Sequence, residues 1–300
     1  MRRKKGFTLI ELLVVIAIIA LLMAIILPSL RAAKELASGA VCVSNQHQLC
    51  LAWTSYASDN DSFLVGGSNY YWNTGNGTPY RWVEYPLYKD TDNPAPPSND
   101  PIPPSSAYNL EYRLNGIRAG ELFPYTGDVD VYHCPGDRNN TKAEPYAIFR
   151  SYTINGLMNS ELFVDRVSGL YSPIKTYRSL VTSPGSAAQI AKVAVKTTEI
   201  RAPGNKYVFI EEDVTQVNQT VNEGGFALLK YNPPAYDWLD AMADYHNGSS
   251  TFGFADGHAE RHRWQDDDTI KLINDEINSD PDPQHNVDLE WMVRGYVPKP

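Results

Sequence analysis

The chain has 300 residues, enough for a long helix and one sizeable globular head. Its formal net charge is −9, and without the four basic residues near the N-terminus it has 22 basic against 35 acidic side chains, a net charge of −13. Such an acidic surface excludes most nucleic-acid-binding proteins, which need a basic face. With only 20% charged residues and 19 Tyr, the chain is predicted to fold rather than to be disordered.

The N-terminus predicts one membrane-spanning helix. Basic residues occupy positions 2–5, and residues 12–30 contain no charged side chain. At ~1.5 Å per residue this run spans the ~30 Å hydrocarbon core of a bilayer. The basic flank should stay in the cytoplasm, which places the rest of the chain outside it. An ordinary secretory signal fits poorly, because its apolar region is shorter and Arg31 stands where its cleavage site would be.

One carboxylate, Glu11, lies at the start of this apolar run and needs a partner, since burying it in lipid costs several kcal/mol. Together with Pro28, the residues Gly6-Phe7-Thr8-Leu9-Ile10-Glu11 resemble the N-terminus of type IV prepilins and type II secretion pseudopilins. The resemblance implies that a prepilin peptidase cuts between Gly6 and Phe7 and that Phe7 becomes the methylated N-terminus. It also implies that Glu11 neutralises the amine of a neighbouring subunit during assembly. A plain anchor that happens to contain a glutamate is the alternative.

Helical spacing continues beyond the membrane segment. The sequence predicts a helix from Phe7 to about Ser58, with a transmembrane half at 7–30 and an amphipathic half at 31–58. Pro28 and Gly39 are the positions where it should bend or loosen. Residues at steps of three and four, most of them apolar, predict the buried stripe: Leu36, Ala40, Val43, Cys42, Gln46, Leu49, Trp53 and Tyr56.

The three cysteines can be sorted by distance. On one helix, Cys42 and Cys50 are eight residues and therefore ~12 Å apart, beyond the ~7 Å Cα limit for a disulfide. In an oxidising exterior, Cys134 is expected to pair with one of them, and three buried thiols are the alternative. The absence of a Cys-x-x-Cys pair argues against a zinc site.

Residues 59–300 are predicted to form one extracytoplasmic head, because Asn, Gly, Tyr and Pro become frequent from Asp59 onward. The Pro-rich stretch 92–105 is typical of an extended surface loop. Acidic triplets are interpreted as solvated charges, at 211–213 after a strand and at 266–268 before a helix over 269–277. Local patterns predict two antiparallel strands at 192–197 and 207–210, with a turn at 202–205 between them.

A second hairpin is predicted at 246–263, because the turn dipeptides Asn247-Gly248 and Asp256-Gly257 bracket a strand-like run. His246, followed after nine residues by Asp256-Gly257, resembles the H-X9-DG signature of a large prepilin-like, processing-associated family. That family pattern contains Cys42 and Cys134 but not Cys50, so the resemblance implies a Cys42–Cys134 disulfide. Other matches to it are Asn45, Gln48-Leu49, Asp59-Asn60, Pro135, Asp137, Ser151-Tyr152 and Asn155.

Metal and catalytic motifs are weak. His246, Asp256, His258 and His262 are possible ligands, but turn and exposed-strand roles explain them better. Calcium is the more plausible metal, because some pseudopilins hold calcium in a late acidic loop and Asp237, Asp240 and Asp244 cluster here, although not with EF-hand spacing. No nucleophile motif, P-loop or dinucleotide fingerprint is present, so no enzymatic activity and no cofactor other than calcium are expected.

The sequence therefore predicts an α+β, pilin-like subunit: a long N-terminal helix whose second half packs on an antiparallel sheet. The expected function is structural, in a type IV pilus or a type II secretion-like filament. The expected location is the inner membrane, with the head in the periplasm or on a surface filament. Its partners would be prepilin peptidase and other pilin subunits. The alternative is an anchored carbohydrate- or protein-binding domain that uses the same export route, suggested by loop aromatics: Tyr70, Tyr71, Trp72, Tyr80 and Trp82.

Overall fold

The computed structural model describes residues 9–67, 81–84, 110–137, 149–159, 162–164, 171–173, 193–213, 225–226, 228–232, 235–238, 240, 242–274 and 276–299. The predicted cleavage site at Gly6 and Phe7 and the Pro-rich loop 92–105 lie outside these residues.

The longest element is α1, Leu9–Asp59, a helix of 51 residues with Pro28 inside it. Its large apolar side chains are exposed through Leu30, whereas burial begins at Gly39. By length and composition α1 can cross a membrane. The prediction of one helix with an apolar first half and a packed second half is confirmed. The buried stripe starts later than expected, since Leu36 and Ala40 are exposed.

The head is built on a four-stranded antiparallel sheet with strand order β1-β4-β7-β8. β1 is Tyr152–Ile154, β4 is Tyr207–Glu211, β7 is Ser249–Phe254 and β8 is Ala259–Arg263. Two separate two-stranded pairs complete the strands, β2 (Leu162–Val164) with β3 (Tyr171–Pro173), and β5 (Leu228–Asn232) with β6 (Ala235–Trp238). The predicted α+β class is confirmed.

Short helices surround this sheet. The α-helices are α2 (Leu110–Arg118), α3 (Phe123–Thr126), α4 (Asp267–Ile273) and α5 (Val287–Tyr296), and single 3₁₀ turns cover Val129–Tyr132, Thr197–Glu199 and Pro203–Asn205. The predicted helix after the acidic triplet 266–268 is present because Asp266 caps it, accepting hydrogen bonds from the backbone N–H groups of Asp268 and Thr269.

Two apolar cores are separated by the sheet. One contains Leu49 and Trp53 of α1, and the other contains Leu289 and Met292 of α5. Side chains alternate along a strand, so Phe252 and Phe254 of β7 face the second core.

Three local predictions were wrong. Residues 193–196 make only isolated bridges, Ala194 to Met158 and Lys196 to Phe63, because the neighbouring chain segments run beside them too briefly for a ladder. Trp82 is not an exposed loop aromatic: it is buried between Tyr132, Phe209 and the Arg150 guanidinium. Glu211 and Glu212 are buried, not solvated.

Candidate functional site

The hairpin at 246–263 lies directly against the second half of α1. Gln46 Nε2 donates to the backbone oxygen of Thr251 at 2.7 Å, and His47 Nδ1 lies 2.6 Å from the backbone oxygen of Gly257. Between these two contacts β7 approaches the helix closely: a Cβ on Gly253 would lie only 2.5 Å from Cys50 Sγ. Glycine is therefore required at this crossing.

Both turns of the hairpin region use the residues that the sequence singled out. Asn247 and Gly248 have φ angles of 53° and 74°, and Asp244 Oδ1 accepts from the N–H groups of Gly248 and Ser249. At the other end Asp256 Oδ1 accepts from His258 N at 3.1 Å, and Gly257 has φ 99°. The Asp-Gly dipeptide of the signature thus builds the tight turn that touches α1.

The histidine of the signature belongs to a buried polar cluster. Cys42, Cys134, Glu211 and His246 bring one ligand atom each within 4.8 Å of one another, and all four residues have 0% exposure. Cys42 Sγ and Cys134 Sγ are 2.7 Å apart, Cys134 Sγ and His246 Nε2 are 3.3 Å apart, and His246 Nε2 is 3.1 Å from Glu211 Oε1. We call this group the Cys-His-Glu cluster.

Four separate segments deliver these side chains. Cys42 comes from α1, Glu211 ends β4, His246 precedes β7, and Cys134 follows the 3₁₀ turn that ends at Tyr132. Backbone N–H groups support the cluster from outside: Thr251 N donates to Glu211 Oε2 at 2.8 Å, and Gly136 N donates to Cys134 Sγ at 3.3 Å.

The cluster perturbs the ionisation of its members. Burial disfavours the charged imidazolium of His246, but hydrogen bonds to Cys42 and Glu211 outweigh it and raise its pKa to about 10. The hydrogen bond with Cys134 lowers the pKa of the Cys42 thiol against the effect of burial, while burial raises the pKa of Cys134. The environment around His246 Nε2 therefore favours a positive charge.

The structure brings two of the three cysteines together. Cys50 is also buried, but its sulfur lies at the Gly253 crossing, and burial raises its pKa. The expected Cys42–Cys134 disulfide stays a prediction. Sequence reasoning missed Glu211 as a member of the site. No local sequence signal marks it, because Glu211 at the end of the buried strand Tyr207–Glu211 has its partners, the Thr251 N–H and His246, far away in the sequence.

The remaining predicted ligands have other partners. Asp237 Oδ1 accepts from the Trp238 N–H, and Asp244 caps the turn before β7. Among the described residues, one group of three or more potential metal ligands comes together, and it is the Cys-His-Glu cluster. The three aspartates are not part of it. Calcium binding at Asp237, Asp240 and Asp244 stays a prediction.

His258 and His262 also separate from His246. His258 Nδ1 contacts Asp256 Oδ1 at 2.6 Å, and its ring stacks on Phe254. His262 Nε2 lies 3.3 Å from Asp288 Oδ1, and its ring stacks on Trp291. These two rings hold the hairpin and α5 in place.

The first half of α1 forms a large exposed surface. Its apolar side chains face outward, with exposures of 78% for Leu9, 68% for Ile25 and 61% for Leu30. Glu11 is exposed among them. So continuous an apolar surface on one helix indicates lipid or protein contact along its whole length.

Comparison with known proteins points to pilins. Residues 1–27 match the prokaryotic N-terminal methylation motif. A stretch of 63 residues is 46% identical to the type IV wide pilus major component PilA4 of Thermus thermophilus, and the match covers 21% of this chain. The chain matches about half the length of that relative, 48%. No solved structure matches the chain. The chain is type IV pilin-like in its N-terminal motif and in its α+β architecture.

Proposed function

We propose that this chain is a structural subunit, a pilin or a pseudopilin, of a type IV pilus or a type II secretion-like envelope filament. The observation that carries the proposal is the division of α1 into two halves. The half after Gly39 forms one side of the head's core, whereas the half before Leu30 is apolar and exposed. A helix of this kind can exchange lipid for the same helix of neighbouring subunits without any change in the head.

Processing would prepare the chain for that exchange. Prepilin peptidase cuts between Gly6 and Phe7, and methylation of Phe7 follows. Removal of positions 2–5 takes four positive charges from the cytoplasmic end of α1, so the helix loses its strongest tie to the cytoplasmic face. Before assembly the processed chain is held in the inner membrane with its head in the periplasm.

Assembly is then driven by lateral burial of apolar helices. As subunits leave the bilayer, the alternative to helix–helix contact is water, and each apolar Å² buried from water contributes roughly 25 cal/mol. Other pilin subunits are therefore the principal partners, and the acidic head is unsuited to nucleic acid. The role is structural and needs no catalytic group. A sugar-binding platform is not favoured, because the N-terminal methylation motif and the pilin relative support a filament subunit. Of the aromatic residues that suggested the platform, Trp82 is inside the core, and Tyr70, Tyr71, Trp72 and Tyr80 lie outside the described residues.

The proposal is tested first at the cleavage site. Gly6→Val should leave the leader attached, since the peptidase needs the small residue before the cut, while membrane insertion persists. Intact-mass analysis of the wild-type chain should show N-methylated Phe7 at its start. Gly39→Ala, within α1 and distant in sequence from the cut, should be processed normally and serves as the control.

A mature chain that still begins with Met1, or one cut beyond the apolar run near Ala33, would contradict the proposed function.

A further inference from the structure

The Cys-His-Glu cluster brings together more polar side chains than a disulfide between two cysteines requires. Two sulfurs, one carboxylate oxygen and one imidazole nitrogen converge, and none of the four side chains is accessible to solvent. His246 Nε2 lies within hydrogen-bond distance of both Cys134 Sγ and Glu211 Oε1, although one N–H group can serve only one acceptor well. The other ring nitrogen, Nδ1, is buried without a hydrogen-bond partner in the described part of the chain.

We propose that Cys42, Cys134, His246 and Glu211 bind one Zn²⁺ ion as a closed structural site when the two cysteines are reduced. Zinc takes Cys sulfur, His nitrogen and carboxylate oxygen in tetrahedral sites, and four protein ligands with no open position characterise structural sites. The soft sulfurs select zinc over calcium or magnesium, which prefer oxygen ligands.

The geometry needs only a small adjustment. Ligand atoms at ~2.0–2.3 Å from a tetrahedral centre are about 3.3–3.8 Å apart. The 3.3 Å and 3.1 Å separations of His246 Nε2 from Cys134 Sγ and Glu211 Oε1 are already close to this range. The two sulfurs, at 2.7 Å, have to separate by about 1 Å, and ligand atoms that lie as far as 4.8 Å apart have to approach by a similar amount.

Charge and surroundings fit the same ion. Two thiolates and one carboxylate bring three negative charges, of which Zn²⁺ neutralises two. The Gly136 N–H on Cys134 Sγ and the Thr251 N–H on Glu211 Oε2 are outer contacts of the kind that orient metal ligands. Arg261 Nη2, 2.7 Å from the backbone oxygen of His246, adds a nearby positive charge.

A disulfide and a zinc ion exclude each other at these two sulfurs. Oxidised Cys42 and Cys134 would be joined covalently, and the reduced pair would be joined through the metal. Either link connects α1 to the segment after Tyr132, and only the metal also fastens β4 and the start of β7. The zinc site therefore extends the connection to all four segments.

The experiment uses the full chain purified in detergent with a non-chelating reductant, without a histidine tag. Zinc content is measured by elemental mass spectrometry and affinity by competition with a chelating dye, for wild type, Cys134→Ser, His246→Gln and Cys50→Ser. Cys50→Ser is the matched control for Cys134→Ser, because Cys50 is as buried as Cys134 but lies outside the cluster. Cobalt(II) then replaces zinc, and its sulfur-to-metal charge-transfer band reports thiolate ligation.

Wild type and Cys50→Ser should bind one zinc per chain with equal affinity and show the cobalt charge-transfer band. Cys134→Ser and His246→Gln should bind at least ~100-fold more weakly, since even outer contacts are worth 10–100-fold. Unchanged affinity in both variants would overturn the proposal. Should these variants fail to fold, the wild-type spectrum decides, because cobalt binding without a charge-transfer band, or no binding at all, refutes thiolate ligation.

Discussion

Glu11 is the residue on which assembly would depend. It is exposed on α1 between apolar side chains, four residues after the proposed new N-terminus at Phe7. In a filament the same position lies among packed apolar helices, where the ammonium of a neighbouring Phe7 and this carboxylate would each be costly alone. Together they form a pair whose loss leaves one buried charge unmatched.

We expect Glu11→Ala to abolish or strongly reduce incorporation into filaments. Membrane insertion, leader cleavage and the fold of the head should persist, because no residue of the head's core belongs to this end of α1. The unpaired Phe7 ammonium would cost several kcal/mol per subunit in the assembled state. Quantification of sheared filaments against membrane fractions measures the effect.

Glu35→Ala, an exposed acid on the same helix beyond the apolar run, is the control and should assemble as wild type. Normal assembly of Glu11→Ala would contradict the proposed pairing between the Glu11 carboxylate and the Phe7 ammonium.

At this scale the sequence is informative where a residue breaks a local pattern. Glu11 interrupts an apolar run and is evident at once. Glu211 begins an acidic triplet that resembles an ordinary strand end, and its burial depends on the Thr251 N–H and His246, which lie 40 and 35 positions later. No local pattern reports contacts made across such distances.

Among the secondary-structure elements, β7 and α1 are in unusually close contact. Gly253 lies where the strand crosses the helix, and an added Cβ would be 2.5 Å from Cys50 Sγ and 3.0 Å from Gln46 Oε1. Protein interiors are too densely packed to absorb such an overlap without moving backbone.

Gly253→Ala should therefore lower the free energy of unfolding by about 1–3 kcal/mol through overpacking. Cys50→Ala alone removes buried volume and also destabilises the chain. In the double variant the cavity accommodates the new methyl group, so the two losses should sum to less than additive. Thermal unfolding of the full chain in detergent, followed by near-UV circular dichroism, gives the double-mutant cycle.

Glu260→Ala, exposed on β8, provides the matched surface control and should change stability by less than ~0.5 kcal/mol. Strict additivity of the stability losses of Gly253→Ala and Cys50→Ala would contradict energetic coupling between the strand and the helix at this contact.

Elements with strong local signals were predictable. The 3.6-residue period marked α1, and two turn dipeptides marked the hairpin that became β7 and β8. The strand order β1-β4-β7-β8 was not predictable, because each of the pairs β1–β4 and β4–β7 joins strands distant in sequence. Residues 193–196 form two isolated bridges and not a strand, because a ladder needs a partner segment of matching length, and that partner is also distant in sequence.

At the scale of the whole molecule, the cysteines link distant parts of the chain. Cys42 and Cys134 are 92 positions apart and in contact. In the oxidised, metal-free chain we expect a Cys42–Cys134 disulfide and a free Cys50 thiol. Closing a loop of this length lowers the conformational entropy of the unfolded chain, which stabilises the folded chain by roughly 4–5 kcal/mol at most. Peptide mapping without reductant, after alkylation of free thiols, identifies the pair.

A cross-linked peptide that contains Cys50 would contradict this pairing. Cys50→Ser should leave the cross-linked peptide unchanged, and Cys134→Ser should remove it. Helix geometry left both Cys42 and Cys50 as possible partners of Cys134, and the family resemblance favoured Cys42. In the structure it is the Cys42 sulfur that lies 2.7 Å from Cys134 Sγ.

In the proposed filament, the continuous helix α1 would act as a lever between the apolar segment and the head. Its 51 residues extend about 76 Å without a break, and no flexible tether separates the apolar half from the half that is built into the head. About 45 Å of helix lies between Leu9 and Gly39, so a tilt of about 10° at the apolar end moves the head sideways by about 8 Å. In the proposed filament, the orientation of each head would therefore be set by how the apolar helices pack, and tension along the helix would be passed to the sheet that packs on it.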